Sequence, residues 1–315
     1  MRGAALWFTL AAAGLPRALL GQRLAGPLVV FNAGSLSYPF RELLRAFAAR
    51  HPEVEPQQES SGSLEAARKI TELGKVPDLL GSADYAVIER LLLPAHARWY
   101  VGFATNAMVL VYTGRSLGAA EINGGNWWQV LLRPRVHAGR SDPALDPNGY
   151  RTLMVYQLAE THYQHPGLAQ RLEAATPPRF LRPKEADLIA LVQAGELDYA
   201  WSYRSIAVTS GLRHVALPRE VDLSDPSLAD WYRHATVRLP GNSLRGRDSL
   251  ELRGEPILYA LTIPTRAPHP AVARAFARFV LGPEGRAIFE RSGFSLPGEL
   301  LVRGDSAGVG ELLPR

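Results

Sequence analysis

The chain has 315 residues, 47% of them hydrophobic and 21% charged, which suits about two domains of ordinary globular composition. It contains no cysteine, which excludes disulfides, thiolate metal sites and a cysteine-linked lipid anchor. The net charge of +5 does not mark a nucleic-acid partner: Arg2, Arg17 and Arg23 lie in the first 25 residues, without them the balance is +2, and no basic stripe with interleaved aromatics occurs.

From the N-terminus, Met1-Arg2 is followed by an apolar run, Ala4 to Leu15, and then by small residues at Ala18, Gly21, Ala25 and Gly26. The run is shorter than the ~20 residues a spanning helix needs. The pattern predicts a signal peptide over residues 1–25 and an exported protein, periplasmic or on the extracellular face of the cytoplasmic membrane. Pro27 to Phe31 reads as a strand, Asn32-Ala33-Gly34-Ser35 as a turn, and Phe40, Leu43, Leu44 and Phe47 as one face of a helix. The unit repeats twice. Val54 to Glu59 is extended, Ser60-Ser61-Gly62-Ser63 turns, and Leu64 to Leu73 is helical with Gly74 as its stop. Asp78 to Leu80 is a strand, Gly81-Ser82-Ala83 turns, and Asp84 to Leu93 is helical.

Asn106 to Tyr112 is a continuous apolar strand, and Trp127-Trp128 opens a short helix. Val136 to Arg140 reads as a strand, followed by a loop through Asp146-Pro147-Asn148-Gly149 and a helix from Tyr150 to about His162. Glu185 to Ala194 is a helix stopped by Gly195, and Leu197 to Tyr203 and Pro256 to Ile263 are buried strands. In the C-terminal helix Ala271, Ala275, Phe276, Phe279 and Val280 are expected on one face. Strands alternating with helices imply an α/β fold with parallel units. Two domains are expected, residues 26–104 plus 264–315 and residues 105–263. They would hinge at crossover strands near 103–112 and 256–264, with a ligand cleft between them.

Three loops share one chemistry: Ala33-Gly34-Ser35, Ser61-Gly62-Ser63 and Pro147-Asn148-Gly149. Each joins a strand to a helix, where free backbone N–H groups and the helix dipole favour an anion. For any one serine the plain alternative is an N-cap, worth about 1 kcal/mol. Ser82 is assigned such a structural role.

The run VVFNAGSLSYPFRELLRAF…ESSGSLEAARKI, continued by NWWQVLLRP, GRSDPALDPNGYR, RPKEADLIALVQAGELDYAWSYRS, PILYALTIP and LGPEGRAIFERSGF, resembles the tungstate/molybdate-binding proteins of ABC importers, especially their archaeal-type branch. The resemblance covers roughly residues 27–297. It implies a two-domain periplasmic-binding fold of type II that holds the oxyanion in its cleft. It also implies that membrane permease and ATPase subunits are the partners, that the receptor is a monomer, and that it carries no cofactor besides its ligand. It makes Ser35 (with Gly34) the first-loop ligand, Ser63 or Ser61 the second, backbone near Pro147-Asn148 the third, and Tyr203 a hydroxyl contact. Asp146 and Glu185 match acids that bond the metal itself and expand its coordination. Without that role, Asp146 is an Asx turn or helix cap and Glu185 a first-turn acid favoured by the dipole. Asp142, Arg151 and Lys184 are expected in salt bridges or caps.

A receptor for sulfate or phosphate on the same fold is the alternative within the class. A metal-dependent hydrolase is the alternative outside it. The eight histidines are scattered, and no HExxH, GxSxG or P-loop motif occurs, so the chain is read as a binding protein and not an enzyme.

Overall fold

The computed structural model describes residues 24–240, 249–305 and 308–313. The predicted signal peptide lies outside the described residues except for its last two positions. Among the described residues, no helix is long and apolar enough to cross a membrane. The strands are β1 (Gly26–Ala33), β2 (Val54–Ser61), β3 (Leu79–Ser82), β4 (Trp99–Thr105), β5 (Met108–Tyr112), β6 (Ala138–Ser141), β7 (Leu181–Arg182), β8 (Tyr199–Tyr203), β9 (Arg213–Ala216), β10 (Thr236–Pro240), β11 (Ser249–Arg253), β12 (Leu258–Thr262) and β13 (Leu301–Gly304).

They form two α/β sheets and a ribbon. The first sheet runs β13-β4-β12-β3-β1-β2 and the second β7-β6-β8-β5-β9, while β10 pairs with β11 alone. In the first, β1 is parallel to both β2 and β3, with Ala33 opposite Ser61 and Asn32 opposite Gly81. The carboxyl ends of three strands therefore lie side by side, and each feeds a loop and a helix: Ser37–Arg50, Ser63–Thr71 and Tyr85–Leu91. In the second sheet β6 runs parallel to β8. The antiparallel β5 sets Met108 opposite Tyr203.

The chain leaves the first sheet at Thr105 and enters the second at Met108, with only Asn106 and Ala107 between; it returns at β12. Both crossings are tied to one segment by main-chain hydrogen bonds. Met108 N–H donates to Asp222 O at 2.9 Å, and Ile257 N–H donates to Leu223 O at 2.8 Å. Leu223 takes a φ of +60°, a conformation a branched side chain seldom adopts.

The predicted stripe Phe40, Leu43, Leu44, Phe47 is buried. Phe40 and Phe47 meet Phe276 edge-on, at 6.3 and 5.3 Å between ring centroids, the geometry aromatic quadrupoles favour. Phe276 lies on the Pro270–Leu281 helix, whose buried face differs from expectation. Val272, Ala273, Phe276, Ala277 and Val280 are buried, whereas Ala271 is exposed and Ala275 and Phe279 are half-buried. Phe279 misled the phase, because its ring packs at the rim against Phe47 and under the Arg50 guanidinium. The helix predicted from Tyr150 begins at Pro147, with Asp146 as N-cap. Proline suits the first helical turn, where its missing N–H costs nothing. The Glu185–Ala194 helix has the predicted bounds, and Gly195 closes it at a φ of +83°.

Candidate functional site

Ser35 sits in the single 3-10 turn Gly34–Leu36 that links β1 to its helix, and it is buried. It caps nothing. Its Oγ instead accepts a hydrogen bond from the Tyr259 hydroxyl of β12 at 2.9 Å. A Cβ built on Gly34 meets nothing within 4 Å, so open space lies in front of this buried turn. In the second loop Gly62 is the N-cap and makes no side-chain cap bond. Ser63, fully buried, accepts from the Ala83 N–H at 2.9 Å. Among the described residues the Ser61 hydroxyl reaches only the neighbouring Gly62 carbonyl, at 3.4 Å. The N-cap alternative for these serines is therefore not realised. It holds for Asp84, which accepts from Ala86 N–H, and Ser82 does serve its own loop, bonding the Asp84 backbone on both sides.

In the other half, Asp146 is both a cap and a neighbour of Glu185. Its Oδ1 accepts from Asn148 N–H at 3.0 Å, and its Oδ2 from Glu185 N–H at 3.3 Å. Glu185 accepts on one oxygen from the Tyr203 N–H at 2.7 Å and from the Ser202 hydroxyl. Both acids are buried, and burial disfavours a charged carboxylate. It raises Asp146 to about 6, partly offset by the two backbone donors. It raises Glu185 to about 8, with the charge of Asp146 adding to the effect. Asn148 is fully buried, yet neither its Oδ1 nor its Nδ2 has a hydrogen-bond partner among the described residues. Such an unpaired amide costs about 1–3 kcal/mol. Gly149 is required by packing, since a Cβ there would lie 2.5 Å from the Ser141 carbonyl oxygen and from Pro143 N.

The two halves meet around these loops. Gly62 faces Leu145 so closely that a Cβ would stand 2.1 Å from the Leu145 carbonyl oxygen. Arg68 Nη1 donates to Ala144 O at 3.1 Å, and Glu65 N–H reaches Leu145 O at 3.4 Å. On the opposite flank Arg151 donates to Ala83 O at 2.7 Å and to the Tyr203 hydroxyl oxygen at 2.9 Å, and pairs with Asp84 at 3.3 Å. The Tyr150 hydroxyl also donates to Asp84. Tyr203 and Tyr259 meet edge-on at 5.8 Å. Burial holds both phenols well above the usual tyrosine range, so both keep their protons.

These contacts close a ring. Ser63, Asp146, Glu185 and Tyr203 lie on it and Ser35 joins it through Tyr259, and these five together with Gly34, Ser61, Pro147 and Asn148 are buried. Arg151, read only as a salt-bridge or capping residue, joins the halves. Lys184 pairs with Asp187, and Asp142 accepts from the Ala144 N–H. Tyr259 and Asn106 were missed. Asn106 opens one apolar strand pattern and Tyr259 lies inside another, where a polar atom carries no signal of its partner. Among the described residues no cluster of three or more His, Cys, Asp or Glu is placed to hold a metal ion. The site combines hydroxyls, amides and the Asp146–Glu185 carboxyl pair, flanked by the Arg151–Asp84 ion pair.

Residues 28–295 match the sequence family described as bacterial extracellular solute-binding protein. A solute-binding protein of Petrotoga mobilis is 45% identical over 275 residues, covering 87% of this chain and 85% of the relative. The molybdate/tungstate-binding protein WtpA of Pyrococcus abyssi is 37% identical over 299 residues, covering 86% and 85%. Among solved structures, the periplasmic molybdate-binding protein of Azotobacter vinelandii superposes with a TM-score of 0.63 at 19% identity, covering 86% of this chain and 99% of the other. The sulfate-binding protein SubI of Mycobacterium tuberculosis gives 0.61 at 15% identity, covering 92% of each. These two distant likenesses show the architecture: the two-sheet α/β fold expected from the sequence is that of periplasmic binding proteins.

Proposed function

Because the chain belongs to the bacterial extracellular solute-binding protein family, whose members here are binding proteins and not enzymes, we propose that it captures tungstate or molybdate between its two halves. It then delivers the ion to the permease and ATPase subunits of an ABC importer, as a monomer working outside the cytoplasmic membrane. The relatives that bind these oxyanions support the ligand class. The observation that carries the reading is the Asp146–Glu185 pair, buried and set among hydroxyl and amide donors, with the Arg151 guanidinium behind the neighbouring Tyr203 hydroxyl.

A carboxylate beside a plain anion repels it. Beside a high-valent metal centre it is an oxygen donor of the preferred kind. Ser35, Ser63 and Tyr203 hold the oxygens of the oxyanion, the unpaired Asn148 amide adds a donor, and the two acids bond the metal from the other side. Sulfate offers the acids nothing, so the same pair that accepts tungstate rejects it. Asp146 caps its helix as well, and the two roles use different faces of one carboxyl.

Titration calorimetry with tungstate, molybdate, sulfate and phosphate tests this. Tight binding of the first two alone bears the reading out. Equal binding of sulfate or phosphate would leave a general tetrahedral-oxyanion receptor, and failure to bind either metal oxyanion would overturn the ligand.

A further inference from the structure

A serine hydroxyl has one proton and two lone pairs, so it can meet a ligand either way round. An anion needs the proton. At Ser35 the choice is made by a chain of hydrogen bonds whose direction can be traced from its start. Asn106, in the two-residue link between β4 and β5, accepts on Oδ1 from Ala107 N–H at 3.0 Å and from Ser205 N–H at 3.3 Å. Backbone amides only donate, so the amide orientation of Asn106 is fixed. Its Nδ2 is the donating end, and it reaches Ser205 Oγ at 2.8 Å and the Tyr259 hydroxyl oxygen at 3.3 Å. Tyr259 receives there and must pass its own proton on, and it donates to Ser35 Oγ at 2.9 Å. Asn106, Tyr259 and Ser35 are all buried, so water does not compete.

We propose that Tyr259 is a positioning residue: by donating to Ser35 Oγ it turns the Ser35 proton toward the cleft, so that Ser35 serves the anion as a donor. The other two hydroxyls are held the same way. Ser63 receives from the Ala83 N–H and Tyr203 from the Arg151 guanidinium, and neither of those groups can accept. Three hydroxyls backed by three committed donors present three protons to the anion, with the Arg151 charge standing behind the Tyr203 hydroxyl. The inference rests on the oxyanion reading above.

A double-mutant cycle in tungstate affinity separates the two. Tyr259→Phe should weaken binding about five- to tenfold, the usual worth of one net hydrogen bond, in a protein that still unfolds in one cooperative transition. In a Ser35→Ala background the same substitution should cost less than about twofold, because the two residues act as one unit. Asn106→Asp gives an independent arm. The new carboxylate accepts the Tyr259 proton, the chain reverses, and the loss should exceed that of Tyr259→Phe. An equal cost in both backgrounds, no cost at all, or wild-type affinity in Asn106→Asp would overturn the relay while leaving the ligand intact. Failure of the wild type to bind tungstate would sink the ligand assignment and the relay with it.

Discussion

Arg151 reaches from one half of the protein to Asp84 in the other: Nη2 lies 3.3 Å from the carboxylate, and both side chains are buried. The same guanidinium bonds Ala83 O and the Tyr203 hydroxyl, so one side chain ties the first-sheet half to the hydroxyl proposed to meet the anion. Removing one member of a buried pair typically costs about 3–5 kcal/mol, because the other charge is left unpaired.

Asp84→Asn is therefore expected to destabilise the closed form and to leave each half folded, since asparagine also caps the Tyr85–Leu91 helix. Tungstate dissociation followed by stopped flow should quicken by about 10- to 100-fold. An unchanged rate would show that closure does not depend on this pair.

Gly62 admits no side chain when the cleft is shut, because its Cβ would lie 2.1 Å from Leu145 O. Gly62→Ala should fold normally and fail to close. Small-angle scattering should show no compaction on adding tungstate, and affinity should fall at least about tenfold. Ligand-induced compaction equal to wild type would contradict this.

The two acids make the protein's behaviour depend on pH in a definite direction. Their unfolded values are 3.8 and 4.5, and the fold raises them to about 6 for Asp146 and about 8 for Glu185. A raised acid stabilises the fold while protonated. The contribution is complete below about pH 4, declines as the pH climbs through 6 and 8, and is gone above. Chemical denaturation of the unliganded protein between pH 4 and pH 9, the range those values span, should show this decline. It should be reduced in Glu185→Gln.

Bonding of both carboxylates to the metal requires them ionised. At neutral pH the coupled Asp146–Glu185 pair, pushed up to about 6 and about 8, holds about one proton between its two carboxyls, so tungstate binding should release about one proton. Calorimetry in two buffers of different ionisation enthalpy reads this directly. Proton uptake would mean that the acids serve the oxyanion as hydrogen-bond donors instead.

Glu185→Gln preserves the shape and the acceptor for Tyr203 N–H. It should weaken tungstate at least about 100-fold if the carboxylate bonds the metal, the scale of effect that even outer metal partners exert. Asp146→Asn should do the same and keep its cap. Sulfate affinity gained in either variant would confirm that the acids act as a filter.

Much of this site can be read from the chain because its parts are local. A strand ending in Ala33-Gly34-Ser35 or Ser61-Gly62-Ser63 announces a loop and a helix start within a few residues, and Gly195 marks a helix stop by backbone geometry alone. Asp146-Pro147 announces a cap followed by a first-turn proline, a signal that places the helix start earlier than its apolar periodicity does. What is not local is not legible. Tyr259 lies 224 residues from Ser35, inside an apolar run that reads as core, and only the β3–β12–β4 order brings its hydroxyl to the first loop. Arg151 has the same difficulty with Asp84. The phase of the Pro270–Leu281 helix was misread because a phenylalanine at the rim looks, in one dimension, like a phenylalanine in the core.

The braces at the two crossings are made of main chain: Met108 N–H to Asp222 O and Ile257 N–H to Leu223 O. Every residue except proline brings the same N–H to such a position. A hinge at these crossings would thus be insulated from mutational drift. Side chains along the crossings can be exchanged for others of similar bulk while both braces stay in place, and only a proline at 108 or 257 would cut one. The joints between the two sheets can therefore outlast changes in the loops around them.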